Sequence, residues 1–518
     1  NDTTYIGTGS ITNALDIANN NTLTATNNGI NILFANGATG TINNEGFIDG
    51  SLTNTASSTI KSFNTGSISG SITNSGSIQT LNVDSNVGSI ANSGNINTLN
   101  VTGNVTNGIT NKASSTITTL TIDNGASLGS GITNDSNIAN LNVKSNVTYA
   151  GNGSITNALD IDGVQTQFTI NNGASNTLTL AENANTANSV KTITNDGTII
   201  GNLTNDLTRT DWTFGVLQGN FTNNGELTAL TDTTTGSITG ILTNTGIIKT
   251  LNTSKVVGSI ANNGNLVNVI VDADKTLTGS GSITNSLVVE KNNGGNGYTL
   301  TIGSGGTGNL NFKATNGTIN NAGTIVGNIT NVDGSTIADF TNSGSFNGDL
   351  TNKGNITNFI NSGNFTGNIA NTGVITDFDN QGIINGTLTN NGNIGDFTNS
   401  GSIKEFNNEG LIAFYENNGI ITTFSGNGTI YGVSNNKVIN GNFENVANAL
   451  KNTGTISGNV ELVGKEGDCG SNSGTICNLS GLWNEGTITG TFTNEANKTI
   501  DSVINGSNSQ TNINAVLN

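Results

Sequence analysis

The sequence contains no proline, histidine or methionine, and its single arginine is Arg209. Proline removes a backbone donor, so its absence from 518 residues favours a chain whose N–H groups are almost all used in strand ladders. Without histidine, serine and cysteine triads of the usual kind are excluded, and no imidazole is present to bind a metal. We therefore predict a protein that is not an enzyme, with no catalytic, cofactor-binding or metal-binding residues and no cofactor.

Positive charge is also scarce, because 16 lysine and arginine residues face 34 acidic ones and the net charge is −18. A basic groove that neutralises phosphates cannot be assembled from so few scattered cations, so nucleic acid is not expected as a partner. The same acidity argues against adsorption to anionic lipid. No window approaches the ~18 consecutive apolar residues of a membrane-spanning helix, and we predict no membrane span in this chain.

Asparagine and glycine are abundant instead, and they recur in a short phrase. The phrase Asn-x-Gly begins at positions 342, 352, 361, 371, 380, 390, 399, 408 and 417, so steps of ten and nine residues alternate before settling to nine. Disordered chains share this polar bias, but they lack regularly placed Ile, Leu, Val and Phe, which this chain has. Two halves, one of ten residues and one of nine, make a period of 19.

Apolar residues fall into register at that period. If each coil of chain lies on the last at the ~4.8 Å spacing of hydrogen-bonded strands, like residues touch and form ladders. The repeated Asn amides are expected to bond from coil to coil, and the Gly of each phrase is expected to turn the chain with φ above zero. The predicted aromatic ladder is Phe340, Phe359, Phe378 and Phe397, and the predicted aliphatic ladder is Ile356, Ile375 and Ile394.

A parallel β-solenoid accounts for these features. Gly, Asn, Thr and Ser dominate and no long segment has apolar residues at helical spacing, so the sequence predicts an all-β fold. About 19–20 residues per coil would give roughly 25 coils and a rod roughly 120 Å long. Three nine-residue phrases per triangular coil would also fit residues 399–428, although the Phe register upstream favours two.

A longer duplication divides the chain into blocks. The segment GSITNALDI at Gly9 recurs at Gly153 and returns as GSITNSLVV at Gly281. We predict solenoid blocks at 1–152, 153–280 and 281–442, the last with regular 19-residue repeats, and a less regular C-terminal part or cap at 443–518. The irregular stretches near 162–190 and 290–312 are expected to project as hairpins or loops.

Two cysteines, Cys469 and Cys477, lie in a loop rich in Gly and Ser. A small disulfide formed in an oxidising compartment is the preferred interpretation. A redox dithiol or a metal site is the alternative, but a catalytic pair is usually closer together and no histidine is present as a further ligand.

Two pairs of closely spaced acidic residues are candidate sites, and both are better interpreted as surface positions. Asp377 and Asp379 occupy variable, solvent-facing positions of an ordinary half-repeat. Asp272 and Asp274 are spaced as in a calcium loop, but the nonapeptide repeat that builds calcium β-rolls does not recur, which favours an exposed turn.

Runs such as ITNSGSI, NNGNI and TNNGEL, with no Pro or His and a close Cys pair near the C-terminal end, resemble the passenger domains of bacterial type V autotransporters. The large Asn- and Gly-rich passengers of vacuolating-toxin-like and adhesin type are the most similar, and filamentous-haemagglutinin-like exoproteins share such repeats. The resemblance covers essentially the whole chain. It implies a right-handed parallel β-helix, export across the outer membrane, and an extracellular location at the bacterial surface.

The sequence and this resemblance together predict a non-catalytic surface rod that acts as an adhesin or as a cell–cell or host-cell interaction scaffold. Its expected partners are a host-cell receptor, a glycan or a matrix protein, and other copies of itself. A secreted vacuolating-type toxin that oligomerises is the alternative, and a polysaccharide-active β-helix enzyme is the third hypothesis.

Overall fold

The structure is a computed structural model. It describes residues 2–6, 9–25, 32–163, 165–171, 177–181, 191–208, 210–213, 215–230, 236–291, 298–303, 306, 308–464, 481–495, 498, 500, 502–506 and 514–515. The chain divides into two compact units, the first formed by 1–249 with 255–259 and the second by 250–254 with 260–518. The blocks predicted at 1–152, 153–280, 281–442 and 443–518 rest on sequence similarity and stay a prediction.

Strands make up nearly all of the described structure, together with a short 3-10 helix at Thr253–Lys255. Strands β1 to β20 are Thr3–Tyr5, Ser10–Ile11, Ala14–Ile17, Thr22–Ala25, Ile32–Phe34, Thr39–Asn44, Phe47–Asp49, Leu52–Asn54, Thr59–Asn64, Ser67–Asn74, Ser77–Val83, Asn86–Asn92, Asn95–Val101, Asn104–Val105, Ile109–Asn111, Thr116–Ile122, Ser127–Leu128, Ile132–Asn134, Asn137–Val143 and Val147–Ala150. Strands β21 to β42 are Ser154–Ile161, Gln167–Ile170, Thr177–Leu180, Lys191–Asn195, Thr198–Ile200, Asn202–Asn205, Thr210–Thr213, Val216–Gln218, Phe221–Asn223, Glu226–Leu227, Ser237–Ile238, Leu242–Asn244, Ile247–Asn252, Ile260–Asn262, Asn265–Val271, Lys275–Thr278, Ser282–Val289, Thr299–Ile302, Asn309–Phe312, Gly317–Asn321, Thr324–Val326 and Asn328–Asn331. Strands β43 to β64 are Thr336–Asn342, Ser345–Asn347, Leu350–Asn352, Asn355–Asn361, Asn364–Phe365, Ile369–Asn371, Val374–Asn380, Ile383–Asn390, Asn393–Asn399, Ser402–Asn408, Leu411–Asn417, Ile420–Ser425, Thr429–Asn435, Val438–Gly441, Phe443–Asn452, Thr455–Ile456, Val460–Leu462, Gly481–Asn484, Thr487–Ile488, Thr491–Asn494, Ser502–Asn505 and Asn514–Ala515.

Each coil in the second unit contains two halves, as the period predicts. Strand β43 pairs in parallel with β46, and β46 with β49, each at a step of 19 residues, as in Phe340 to Phe359. The strands of the other half stack separately, for example β45 on β48 and β48 on β50. The predicted parallel β-solenoid is confirmed, and the chain makes about 23 turns, close to the expected 25.

The later part of the regular repeat keeps two phrases per coil. Strand β51 pairs with β53, and β52 with β54, both at a step of 18 residues. A coil of three phrases would require a step of about 27 residues, so the triangular alternative for residues 399–428 is wrong. The two-stranded coil persists because each nine-residue phrase still supplies one strand and one corner.

The extra residue of the longer half forms a bulge. Strand β50 shifts register against β52 between Ile384 and Thr387. An Asn or Asp side chain at this bulge accepts a hydrogen bond from the backbone N–H one coil later. The N–H of Asn368 donates to Asp349 Oδ1 at 2.7 Å, and the N–H of Thr387 donates to Asn368 Oδ1 at 2.9 Å. The side chain thus satisfies a donor that the interrupted ladder leaves without a strand partner.

Aromatic and aliphatic columns fill the interior. The structure places the four predicted Phe rings in one stack, with centroid distances of 5.0, 4.5 and 5.1 Å and interplanar angles of 12–14°. Tyr415 continues it 4.8 Å beyond Phe397. Ile356, Ile375 and Ile394 pair in register beside the rings and are fully buried.

Buried Asn ladders occupy both corners of the coil. Asn342 Nδ2 donates to Asn361 Oδ1 at 2.7 Å, and this bond is repeated from coil to coil through Asn380, Asn399 and Asn417. The other corner carries the same ladder through Asn331, Asn352, Asn371, Asn390 and Asn408. Because each amide both donates and accepts, a polar group fully removed from water is satisfied.

The expectation that the phrase glycines have φ above zero is wrong. None of the nine Asn-x-Gly glycines between Gly344 and Gly419, all of which the structure describes, has positive φ. Their role is close approach instead. A Cβ at Gly363 would collide with the carbonyl oxygen of Gly344 one coil earlier, and the same collision recurs from Gly373 to Gly354. Glycine is needed because adjacent coils touch backbone to backbone at the corner.

The first unit follows the same plan with one difference at a corner. Its Asn ladder runs through Asn54, Asn74, Asn92, Asn111 and Asn134 with bonds of 2.7–2.8 Å. At the opposite corner, the position that holds a buried Asn in the second unit is occupied by an apolar residue in several successive coils. These apolar residues are Val83, Val101, Ile122, Val143 and Ile161, all fully buried.

The irregular stretches are partly solenoid. Strands β22 and β23 lie within 162–190 and pair in parallel with β20 and β21, and strands β38 and β39 within 290–312 pair with β36 and β37. The prediction that these stretches project as loops is therefore wrong for their strands, whose alternating apolar residues are buried. Residues 172–176, 182–190 and 292–297 lie outside the described part of the chain.

Candidate interaction surface

One sheet face of the first unit presents regular columns of small polar side chains to solvent. We call it the neutral face; it is the outer side of β6, β9, β11, β13, β16 and β19. Thr80, Thr98 and Thr119 are in register in successive coils and form a hydroxyl column. Two residues further along the same strands, Asn82 and Asn100 form an amide column. Alternation of side chains along a strand sets the columns about 6.6 Å apart, and the coils set the members about 4.8 Å apart.

The amide column is held together by its own hydrogen bonds. Asn82 Nδ2 donates to Asn64 Oδ1 at 2.9 Å, and Asn100 Nδ2 donates to Asn82 Oδ1 at 3.0 Å. Further on, Asn142 Nδ2 donates to Thr121 Oγ1 at 3.3 Å. These side chains are half-buried by one another, so they lose little further rotamer freedom when a partner covers them.

Charge is nearly absent from the neutral face. Among the residues of its six strands, the only charged one is Lys61. One pair of charged residues lies at a nearby corner, where Lys144 Nζ is 3.5 Å from the Asp123 carboxylate. A backbone hydrogen bond from Asn124 and the charge of Lys144 lower the pKa of Asp123. The face thus carries one charged residue, Lys61, in a chain of net charge −18.

Asp160 lies where the amide column reaches the next coil, opposite Asn142. Burial and the neighbouring carboxylates of Asp162 and Asp196 raise the pKa of Asp160, while Lys144 lowers it. An ionised group at this position is therefore disfavoured by its surroundings.

The equivalent outer column of the second unit is acidic. Asp339, Asn358, Asp377 and Asp396 are in register, and Asn358 Nδ2 donates to Asp339 Oδ1 at 2.7 Å. Asp377 and Asp379 point outward from one strand, and Asp379 accepts a hydrogen bond from Gln381 at 2.6 Å. Asp377 thus belongs to the acidic column, whereas Asp379 lies two residues further along the strand, in register with Ile360 and Thr398.

Asp272 and Asp274 both serve the backbone of a neighbouring coil. Asp272 accepts hydrogen bonds from the backbone N–H of Ser254 at 2.8 Å and from its hydroxyl at 2.7 Å. Asp274 accepts one from the N–H of Thr299 at 2.8 Å. The two carboxylates therefore accept hydrogen bonds from different coils, Asp272 from Ser254 and Asp274 from Thr299.

Several predicted positions lie outside the described residues, namely Cys469, Cys477 and Arg209. Within the described ranges, no group of three or more Cys, Asp or Glu side chains is placed to hold a metal ion. Those ranges also contain no helix long and apolar enough to cross a membrane.

Sequence reasoning missed both the neutral face and the Asn and Asp side chains that accept hydrogen bonds from the next coil at the bulge. A signal for each was present. The segments NINTLNV and TITTLTI carry uncharged residues at every outward position, and an Asn or Asp follows the glycine in FNGDLT and FTGNIA. Writing the coils beneath one another at their true offsets would have displayed both.

Comparison with known proteins gives no relative for this chain, since no protein-family model, curated protein or solved structure matches it. The geometry of its surfaces is therefore the basis for a functional proposal.

Proposed function

We propose that this chain is a non-catalytic interaction scaffold, exported to the surface of a bacterial cell, that acts as an adhesin toward host cells or other bacteria. The observation that supports it most directly is the neutral face, a repeated array of hydroxyl and amide groups on a fold without its own apolar patch there. Export and surface display follow from the resemblance to autotransporter passengers.

Charge explains why this face suits contact with another surface. Cells and other copies of the chain are predominantly acidic, so most of this protein would repel them. The neutral face avoids that repulsion, and its amides and hydroxyls can donate and accept hydrogen bonds with a receptor, a glycan or a second copy. The acidic column of the second unit, through Asp339 and Asp377, lacks this property.

Binding of the purified protein to host cells, to immobilised glycans and matrix proteins, and to itself would test the proposal. We expect saturable binding to at least one of these surfaces, and loss of that binding when Thr98 and Asn100 are both changed to Asp. The matched control is Asn358→Asp, which adds a charge to the already acidic column. Absence of any binding, or equal loss in the control, would contradict the proposal.

A further inference from the structure

One corner of the first unit contains one residue fewer than the same corner in the coils before and after it. Register pairs Asn43 with Asn64 and Asn64 with Asn82 on one sheet. On the other sheet, Ser67 pairs with Phe47, and the next coil continues from Ile68 to Val87. Three residues therefore link the two sheets in the coils before and after, at 44–46 and 83–85, but only 65 and 66 link them in this coil.

The short corner leaves a notch in the side of the stack. Gly66 turns the chain with φ +45°, and a Cβ there would collide with the carbonyl oxygen of Asn44. Above and below, the longer corners at Glu45 and Asp84 project past it. The resulting cleft measures about 480 Å³ and is lined by polar groups, among them Asn43, Glu45, Asn64, Ser67, Asp84 and Ser85. That volume is within the ~300–1,000 Å³ of small-molecule sites.

The floor of the notch is held by internal hydrogen bonds. Asn44 Nδ2 donates to the carbonyl oxygen of Ser67 at 3.2 Å and also to that of Thr65. The N–H of Ser67 donates to the carbonyl oxygen of Gly46 at 3.2 Å, and the hydroxyls of Ser67 and Ser85 are 2.7 Å apart. A ligand would therefore meet a preformed surface rather than a loop that must be ordered.

The walls retain capacity for a ligand. Glu45 accepts one contact of 3.4 Å from Asn43 through Oε1, and within the described part of the chain Asp84 makes no hydrogen bond or ion pair. Two carboxylates with open acceptor sites thus face a cleft that also offers amides and hydroxyls. None of the described residues that line the cleft is Lys or Arg, so they offer an anionic ligand no counter-charge.

We propose that this notch binds a neutral monosaccharide unit of a glycan. A sugar carries several hydroxyls on a ring small enough for the cleft, and each can donate to a carboxylate or exchange hydrogen bonds with an amide or a serine. The carboxylates of Glu45 and Asp84 would repel an acidic sugar, which favours a neutral one. This inference rests on the proposed adhesive function and assigns it a ligand and a place.

The test compares glycan binding by the full chain and three variants. Insertion of one asparagine between Thr65 and Gly66 restores the three-residue corner and fills the notch without altering either sheet. Asp84→Asn keeps the shape of the wall but removes its charge. Asp162→Asn removes an exposed carboxylate from the same corner four coils beyond Asp84 and is the matched control. Circular dichroism and thermal unfolding establish that all four proteins fold.

We expect the unmodified chain to bind at least one neutral glycan of an immobilised panel and to ignore sialylated forms. The insertion should abolish binding, Asp84→Asn should weaken it by about ten-fold or more, and Asp162→Asn should leave it unchanged. No bound neutral glycan, or binding that survives the insertion, would overturn the proposal. If the insertion variant still binds cells, the proposal that the notch binds the glycan is wrong but the adhesive function stands. If the unmodified chain does not bind cells, the proposed function is wrong.

Discussion

At the scale of single residues, this protein uses Asn and Gly for tasks set by the neighbouring coil. Asn371 is fully buried, yet it donates to Asn390 Oδ1 and accepts from Asn352 Nδ2 at 2.8 Å each. Gly363 has an ordinary backbone conformation, but the carbonyl of Gly344 leaves no room for a Cβ. Both residue types are required by the stacking of coils rather than by local conformational preference.

Gly363→Ala should destabilise the protein. The added methyl group must displace the backbone of the previous coil, which costs about 1–3 kcal/mol in a packed interior. Urea unfolding measures the change, with Ser362→Ala as a control because Ser362 is exposed at the same corner. Equal stability of the two variants would show that the corner can relax around a methyl group.

Asn371→Val should also destabilise, by about 1–3 kcal/mol, because it leaves an amide on each side without its partner. The apolar column at the other corner of the first unit, with Val83, Val101 and Ile122, shows that a corner accepts an aliphatic residue when its neighbours are aliphatic too. Thr376→Val makes a comparable change at an exposed position and should alter stability little. Chemical denaturation would distinguish them, and a neutral effect of Asn371→Val would argue against the ladder as a stabilising element.

Asp160→Asn should stabilise the protein at neutral pH. Burial, Asp162 and Asp196 raise the pKa of Asp160 above its usual 3.8, so folding favours the protonated form and this contribution is lost as pH rises through the folded pKa. The advantage of the variant in thermal unfolding should therefore be present at pH 7 and vanish below about pH 3. Asp333→Asn, at an exposed turn, is the matched control for the removal of a carboxylate.

At the scale of the element, the unit of construction is the two-strand coil. Strands β43, β46, β49 and β51 present the same positions inward, so the Phe and Ile columns continue without interruption. The bulge of the longer half adds a residue without disturbing this order, because Asx side chains complete its hydrogen bonds. Coils are therefore interchangeable in a way that single strands are not.

Removal of one whole coil should be tolerated. Deletion of 357–375 joins Ile356 to Thr376 and regenerates a strand of normal length with Phe378 still inward. Deletion of 357–374 leaves one extra residue, which turns Phe378 and Asn380 to the opposite face. We expect native circular dichroism and cooperative unfolding for the first variant, and aggregation or rapid proteolysis for the second. Similar behaviour of the two would contradict the fixed register.

At the scale of the whole molecule, charge is distributed by surface. The outer column of the second unit carries Asp339, Asp377 and Asp396, whereas the neutral face of the first unit carries hydroxyls and amides. A net charge of −18 opposes the approach of two copies at low salt, even where their contact surfaces are uncharged.

Self-association should therefore increase with salt. Raising the ionic strength from about 0.01 M to 0.15 M shortens the Debye length from about 30 to about 8 Å and removes most of the long-range repulsion. Light scattering should report a larger mean mass at the higher salt, and the double Thr98→Asp and Asn100→Asp variant should remain smaller. A mass that falls with salt would indicate that opposite charges, rather than the neutral face, hold copies together.

The period of the repeats was enough to predict the coil, its two halves, and the Phe and Ile columns. In a stack of hydrogen-bonded coils, residues one period apart must touch, so the spacing of Phe340, Phe359 and Phe378 was sufficient to place them. The three-dimensional structure was needed to show why the glycines are required, how the hydrogen bonds of the bulge are completed, and that the corner at residues 65 and 66 has one residue fewer than its neighbours. Those features depend on distances between the backbones of neighbouring coils, which local sequence preferences do not specify.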